Sequence, residues 1–303
     1  MNEYVLEVND LCKKYKETMA VNHVNMKIKK GDIYGFIGRN GAGKSTTLKL
    51  ISGHIFPTSG EIKFFGEERN SFTNKRIGAL IENAGLYSNL SAFDNMDIKA
   101  TGMGLKDKSK INEILELVKL DPKSKKIVKK FSLGMKQRLG IALALLGNPD
   151  LLILDEPING LDPEGIREIR EVIQYLNENK KMTIIISSHI LGELSKISTR
   201  YGIIRDGSII EEISSKELEN KCKDYLSVKV SNVKRALPIL EEKLKIKDYQ
   251  VHENDEIWIF DNVDSAKVNL VLTENNISIS QIFYQKQDLE SYFLSKIGGQ
   301  DNV

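Results

Sequence analysis

The chain has 303 residues, with 44 basic against 42 acidic side chains and a formal net charge of +2. That length accommodates one large α/β domain and a smaller one, and the balanced charge supplies no field to attract nucleic acid. Aromatic residues make up 7% with a single tryptophan, which argues against a base-stacking surface, and the longest nearly apolar run, 139–147, is about half the length of a membrane span.

In chain order, 3–8 and 24–28 alternate and are β-branched, which predicts strands. The apolar stretch 33–37 is another strand, and it leads into Gly38-Arg39-Asn40-Gly41-Ala42-Gly43-Lys44-Ser45, after which a helix begins. Strands follow at 61–65 and 77–81. From about 88 to 147 helical pattern takes over, with Ile111, Ile114, Leu115 and Val118 at helical spacing. The lysines at 123, 125, 126, 129 and 130 read as a solvated helical face. The runs 151–154 and 183–186 are wholly apolar, as expected of parallel strands buried on both faces, and a helix at 166–178 joins them in a βαβ unit. A hairpin turns at Asp206-Gly207. The Lys/Glu-rich stretch 214–224 is a last helix and linker, followed by a strand–helix–strand–strand–helix–strand pattern at 225–284, the ferredoxin-like order, and a closing helix at 288–297. The expected domains are therefore 1–222, with a helical insert at about 88–147, and 223–303.

The run 38–45 matches G-x-x-x-x-G-K-[ST], the phosphate-cradling P-loop. Glycines let the backbone curl so that amides from Gly38, Asn40, Gly41, Ala42, Gly43, Lys44, Ser45 and Thr46 face phosphate oxygens. The helix that starts there adds its dipole, Lys44 reaches the β- and γ-phosphates, and Ser45 ligates Mg2+. Asp155-Glu156 ends the buried strand 151–154, at the carboxyl end where ligands bind in parallel sheets. Asp155 is expected to hold the metal and Glu156 to deprotonate the attacking water.

Between these two motifs stands Phe131-Ser132-Leu133-Gly134-Met135-Lys136-Gln137-Arg138. Here the sequence resembles the ATP-binding-cassette (ABC) ATPases, whose signature reads L-S-G-G-Q and whose order is P-loop, signature, then L-L-I-L-D-E-P. The resemblance covers about 3–220. It implies a P-loop NTPase α/β fold and an ATP sandwich between two head-to-tail subunits. In it Tyr15 stacks on adenine, Ser132 and Gly134 face the γ-phosphate of the opposite subunit, Asp162 belongs to the D-loop, and His189 assists Glu156. Leu133 and Met135 depart from the usual Gly and Gln. Glu82 stands where the family has a Gln that touches metal or water and faces the membrane subunit, so Glu82 is a candidate nucleotide and metal contact. I-G-A-L-I-E-N with L-Y, beside F-S-L-G-M-K-Q-R, looks like the ATPases of bacitracin- and lantibiotic-type exporters and self-protection systems.

The resemblance implies an ATPase subunit using ATP and Mg2+, working with an integral membrane permease as a homodimer or heterodimer, with no nucleic acid partner. Cys12 and Cys222 form no metal-ligand pattern and read as reduced thiols, consistent with a cytoplasmic protein peripheral to the inner face of the membrane. The alternative is a soluble ABC ATPase acting on nucleic acid or ribosomes, usually built from tandem cassettes or coiled-coil insertions. This chain shows one cassette and neither feature. The tail from 225 carries no visible chemistry and reads as regulatory or as an interaction surface.

Overall fold

The alternating start of the chain folds as a long hairpin, β1 (Tyr4–Tyr15) and β2 (Thr18–Lys29). Both strands run well past the expected bounds because Lys13 and Lys14 pair with Val21 and Met19 at the far end, and cross-strand pairing overrides their weak strand preference. In the computed structural model, residues 3–82, 84–105, 107–222, 224–285, 292, 293 and 296 are described. Among the described residues, those up to Ser215 together with Lys296 form one compact unit, and those within Lys216–Ser295 form the other.

In the first unit, β3 (Ile33–Ile37) is buried at every position and ends at the P-loop, and α1 (Lys44–Ser52) begins directly after it. β4 (Ser59–Phe64) and β5 (Glu67–Glu68) join the first hairpin in an antiparallel sheet ordered β2-β1-β4-β5. Next come α2 (Ser71–Lys75) and β6 (Ile77–Leu80). The helices α3 (Ala92–Gly102), α4 (Ser109–Leu117) and α5 (Leu133–Leu145) follow before the chain returns to the sheet. The lysine run is not a helical face: 121–127 is turn and irregular backbone, followed by a single 3-10 turn, Val128–Lys130. Pro122 explains this, since it disfavours helix in the residue before it and donates no amide.

β7 (Leu151–Asp155), α6 (Pro163–Lys180) and β8 (Thr183–Ser188) form the βαβ unit. A short α7 (Leu191–Leu194) precedes the hairpin of β9 (Arg200–Arg205) and β10 (Ser208–Ser214). The central sheet runs β10-β9-β3-β8-β7-β6, parallel except for β10. Leu151 to Leu154 and Ile184 to Ile186 are all fully buried, and each such side chain contributes about 1.5–3 kcal/mol of transfer free energy. The sheet order sets the carboxyl ends of β3, β8 and β7 side by side.

The second unit starts earlier than the expected 223. β10 makes its last pairing at Ser214, so the Lys/Glu-rich α8 (Ser215–Lys221) falls almost wholly beyond the first unit. β11 (Tyr225–Val230), α9 (Val233–Leu244), β12 (Tyr249–His252), β13 (Glu256–Ile259), α10 (Ser265–Glu274) and β14 (Ile279–Gln285) then follow. Their sheet is antiparallel, ordered β12-β13-β11-β14, which is the ferredoxin-like arrangement. Leu226, Val228, Ile257 and Ile259 form a core with Ala236, Leu240, Val268 and Leu272 of the helices. On the other face Tyr225 and His252 stack on Trp258, with ring centroids at 4.2 and 3.6 Å. The Glu256 carboxylate accepts from Ser227 Oγ at 2.6 Å and Trp258 Nε1 at 2.8 Å, and these bonds hold it below the usual carboxylate range. The expected closing helix at 288–297 lies mostly outside the described residues.

Candidate functional site

The P-loop leaves β3 at Gly38, and its curl requires positive φ at Gly41 (83°) and Gly43 (105°). A Cβ on Gly43 would stand 2.6 Å from the Ala20 carbonyl oxygen, and one on Gly38 equally close to that of Ile204. No side chain caps α1, because its N-cap is Gly43. The amides of its first turn are therefore free for an anion, the arrangement a polyphosphate needs. Arg39, Asn40, Gly41, Gly43, Lys44, Ser45 and Thr46 line a cleft of about 320 Å3, closed by Ala20, Glu156 and Asn159.

Lys44 is 5% exposed and donates to the Gly38 carbonyl at 2.7 Å, with its Nζ 3.4 Å from Glu156 Oε1. Glu156 sits at φ 49°, a left-handed conformation that costs a non-glycine residue about 1–3 kcal/mol. Its other carboxylate oxygen lies 2.8 Å from His189 Nδ1. Glu156 is thus held between a cation on the P-loop and an imidazole on the loop after β8. Asp155 is buried, and its Oδ1 accepts from Ser187 Oγ at 2.6 Å.

Lys44, Ser45, Thr46, Asn40, Gly41, Gly43, Asp155, Glu156 and His189 therefore gather at one end of the sheet. Gly38 and Ala42 shape the loop from behind and do not line the cleft. The remaining candidates stand apart from it. Tyr15 is half exposed at the end of β1 with the Lys13 ammonium 5.1 Å from its ring centroid. Glu82, exposed and at φ 57°, pairs with Lys49 of α1 at 2.5 Å. Ser132 caps α5 by accepting from the Met135 amide at 3.2 Å. Asp162 caps α6 by accepting from the Gly165 amide at 2.9 Å. Gly134 faces that same turn, with Gly165 Cα 3.8 Å from where its Cβ would lie. Ser132, Gly134 and Asp162 thus lie together at the starts of α5 and α6, with Ser132 and Asp162 exposed and Gly134 half-buried. Reading motifs alone missed Ala20, which closes the cleft from β2, and Ser187. The pair Ser187-Ser188, two hydroxyls ending an apolar strand, was the available signal for the latter.

Comparison with known proteins bears on the whole chain. A family model described as ABC transporter matches residues 21–159. The bacitracin transport ATP-binding protein BcrA of Bacillus licheniformis is 45% identical over 97% of this chain and 98% of its own length. The chain belongs to the ABC transporter ATP-binding family. The BcrA of Enterococcus faecalis is 41% identical over 98% of this chain and 97% of its own. The lantibiotic transport ATP-binding protein SrtF of Streptococcus pyogenes is 49% identical over 69% and 90%. Coverage of 97% means that BcrA shares the second unit as well. Among solved structures, cbiO1 of Clostridium perfringens, part of the cbiONQ ABC transporter complex, superposes with a TM-score of 0.65 at 26% identity over 81% of this chain and 98% of that one. A cassette dimer in a post-hydrolysis state bound to ADP and Pi gives 0.63 at 24% identity, over 69% and 98%, a likeness of fold. As an ABC ATPase the chain binds ATP and hydrolyses it in support of transport.

Proposed function

We propose that this ABC ATPase drives a separate membrane permease that exports, or protects against, an antimicrobial peptide of the bacitracin or lantibiotic kind. The observation that carries the hydrolytic part is the meeting of Lys44, Glu156 and His189 at the strand ends, with Glu156 tethered at both oxygens. The cargo follows from the likeness to BcrA and SrtF. In this reading ATP phosphates lie on the first-turn amides of α1 and on Lys44. Ser45 and Asp155, an alcohol and a carboxylate, suit a hard cation with oxygen ligands, and Mg2+ held there would neutralise charge developing on the phosphates. Glu156 takes the proton from the attacking water, and His189 fixes the orientation of that carboxylate. Tyr15 offers its ring to adenine. Ser132, Gly134 and Asp162 complete the site of a second ATPase subunit, and Glu82 lies on the loop that passes motion to the permease.

No described helix is long and apolar enough to cross a membrane. In this reading the permease supplies the span, and this subunit works on its cytoplasmic face, as the likeness to transport ATP-binding proteins supports. Deleting the gene should lower the minimal inhibitory concentration of bacitracin or a lantibiotic, and the wild-type gene should restore it where Glu156→Gln does not. Unchanged susceptibility to both peptides would overturn the cargo. ATPase activity of the purified chain, rising faster than linearly with its concentration and lost in Lys44→Ala, tests the dimeric enzyme separately.

A further inference from the structure

Ser187 is fully buried on β8, directly opposite Asp155 of β7 in the sheet register. Its hydroxyl is used twice. It donates to Asp155 Oδ1 at 2.6 Å and accepts the backbone amide of Glu156 at 2.9 Å. A serine hydroxyl has one hydrogen and two lone pairs, so both bonds can form at once. The neighbouring Ser188 does something else: its Oγ accepts the Ile190 amide at 2.9 Å and shapes the loop that carries His189. The three residues before Ser187 are isoleucines. Among the described residues, the hydroxyl's hydrogen bonds go to Asp155 and to the Glu156 amide.

We infer that Ser187 is a positioning residue for ATP hydrolysis, one hydroxyl that sets both acidic residues of the site. The inference rests on the reading of Asp155 as the cation ligand and Glu156 as the base. With Oδ1 tied to Ser187, Asp155 has no other side-chain hydrogen bond among the described residues, which leaves Oδ2 for a cation. The bond to the Glu156 amide falls on the residue whose φ is 49°. It anchors the backbone from which the carboxylate reaches back to Lys44 and His189. Without the acceptor that amide loses its partner, and the left-handed conformation loses the bond that offsets its strain. Ser187 does not itself line the cleft, and its hydroxyl reaches the site through Asp155 and the Glu156 backbone.

Ser187→Ala and Ser187→Thr separate this role from simple packing, since threonine keeps the hydroxyl. In purified full-length chain, Ser187→Ala should lower kcat by about 10- to 100-fold, the effect of leaving charged and backbone partners unpaired. Calorimetric ATP affinity in the absence of metal should stay at the wild-type value. The further gain in affinity on adding Mg2+ should shrink several-fold, and Ser187→Thr should restore both kcat and that gain. Wild-type kcat and Mg2+ gain in Ser187→Ala would overturn the inference. So would loss of metal-free ATP binding together with a collapsed melting temperature that threonine does not rescue, since that describes a packing residue. Glu156→Gln run in parallel isolates the underlying reading. If it turns over like wild type, the assignment of the base fails, whereas an inactive Glu156→Gln beside an unaffected Ser187→Ala removes Ser187 alone.

Discussion

The amide of Gly207 donates to the carbonyl of Ala42 at 3.0 Å, joining the P-loop to the tip of the β9–β10 hairpin. The tip is itself pinned to β2: Asn22 donates its amide to the Gly207 carbonyl at 2.8 Å, and Ser208 Oγ donates to the Asn22 carbonyl at 2.8 Å. Asp206 and Gly207 both have positive φ, the two-residue turn that suits twisted strands. A Cβ at Gly207 would lie 3.1 Å from the Ala20 oxygen at a φ of 79°. Gly207→Val should therefore displace the turn and weaken ATP binding by about 10-fold or more, read by titration calorimetry. Wild-type affinity would mean that the loop holds its curl without the hairpin.

His189 touches Glu156 but does not line the cleft. His189→Ala should leave ATP affinity within about twofold and reduce turnover by about 10- to 100-fold, less than the roughly 100- to 10,000-fold that a general base itself contributes. Steady-state kinetics across ATP concentrations checks this. A rise in KM with kcat intact would instead assign His189 to nucleotide binding.

Leu133 is the first residue of α5, 48% exposed, and its Cδ2 lies 3.3 Å from where a Gly160 Cβ would stand. Its side chain thus reaches toward Gly160 from between Ser132 and Gly134, the residues that the dimer reading sets against a second subunit's nucleotide. Leu133→Gly should strengthen ATP-dependent dimerisation several-fold in a Glu156→Gln background, at a helix cost of no more than about 1 kcal/mol. Sedimentation velocity with and without ATP measures it, and a weaker dimer would show that Leu133 is part of the interface.

Away from the nucleotide, the buried Tyr34 hydroxyl donates to Glu212 Oε1 at 2.7 Å. Burial outweighs this bond and the nearby Arg200 in raising the Glu212 carboxyl above its ordinary 4.5. A raised folded-state pKa means that folding favours the proton. The stability Glu212 contributes is complete below about 4.5 and is lost as pH climbs through its raised value. Glu212→Gln should then gain in melting temperature relative to wild type as pH rises from 4 to 8. A constant difference across that range would place the proton elsewhere.

What could be read without coordinates was whatever is written locally. The P-loop spacing, the all-apolar strands that deliver Asp155 and precede His189, and the Asp206-Gly207 turn each carry their own signal over a few residues. The alternation of strand and helix beyond 225 likewise sufficed for the ferredoxin-like order. Ala20 was illegible, and the Ser187-Ser188 pair could flag a hydroxyl at a strand end but not its partners, because both roles come from register and from packing between distant segments. β8 must lie beside β7 with Ser187 opposite Asp155, and no single stretch encodes that. The lysine run misled for the opposite reason: its charge suggested a helix face, whereas one residue, Pro122, decides the backbone.

The lone tryptophan of this chain lies in the second unit, its indole stacked against Tyr225 and His252, with its N–H on Glu256. Intrinsic emission excited at the red edge of the protein band is therefore a private channel to that unit, blind to the cassette where ATP binds. Any change in that emission on adding nucleotide reports a message that has crossed from the cassette to the second unit, and a silent spectrum beside measured binding reports that none has.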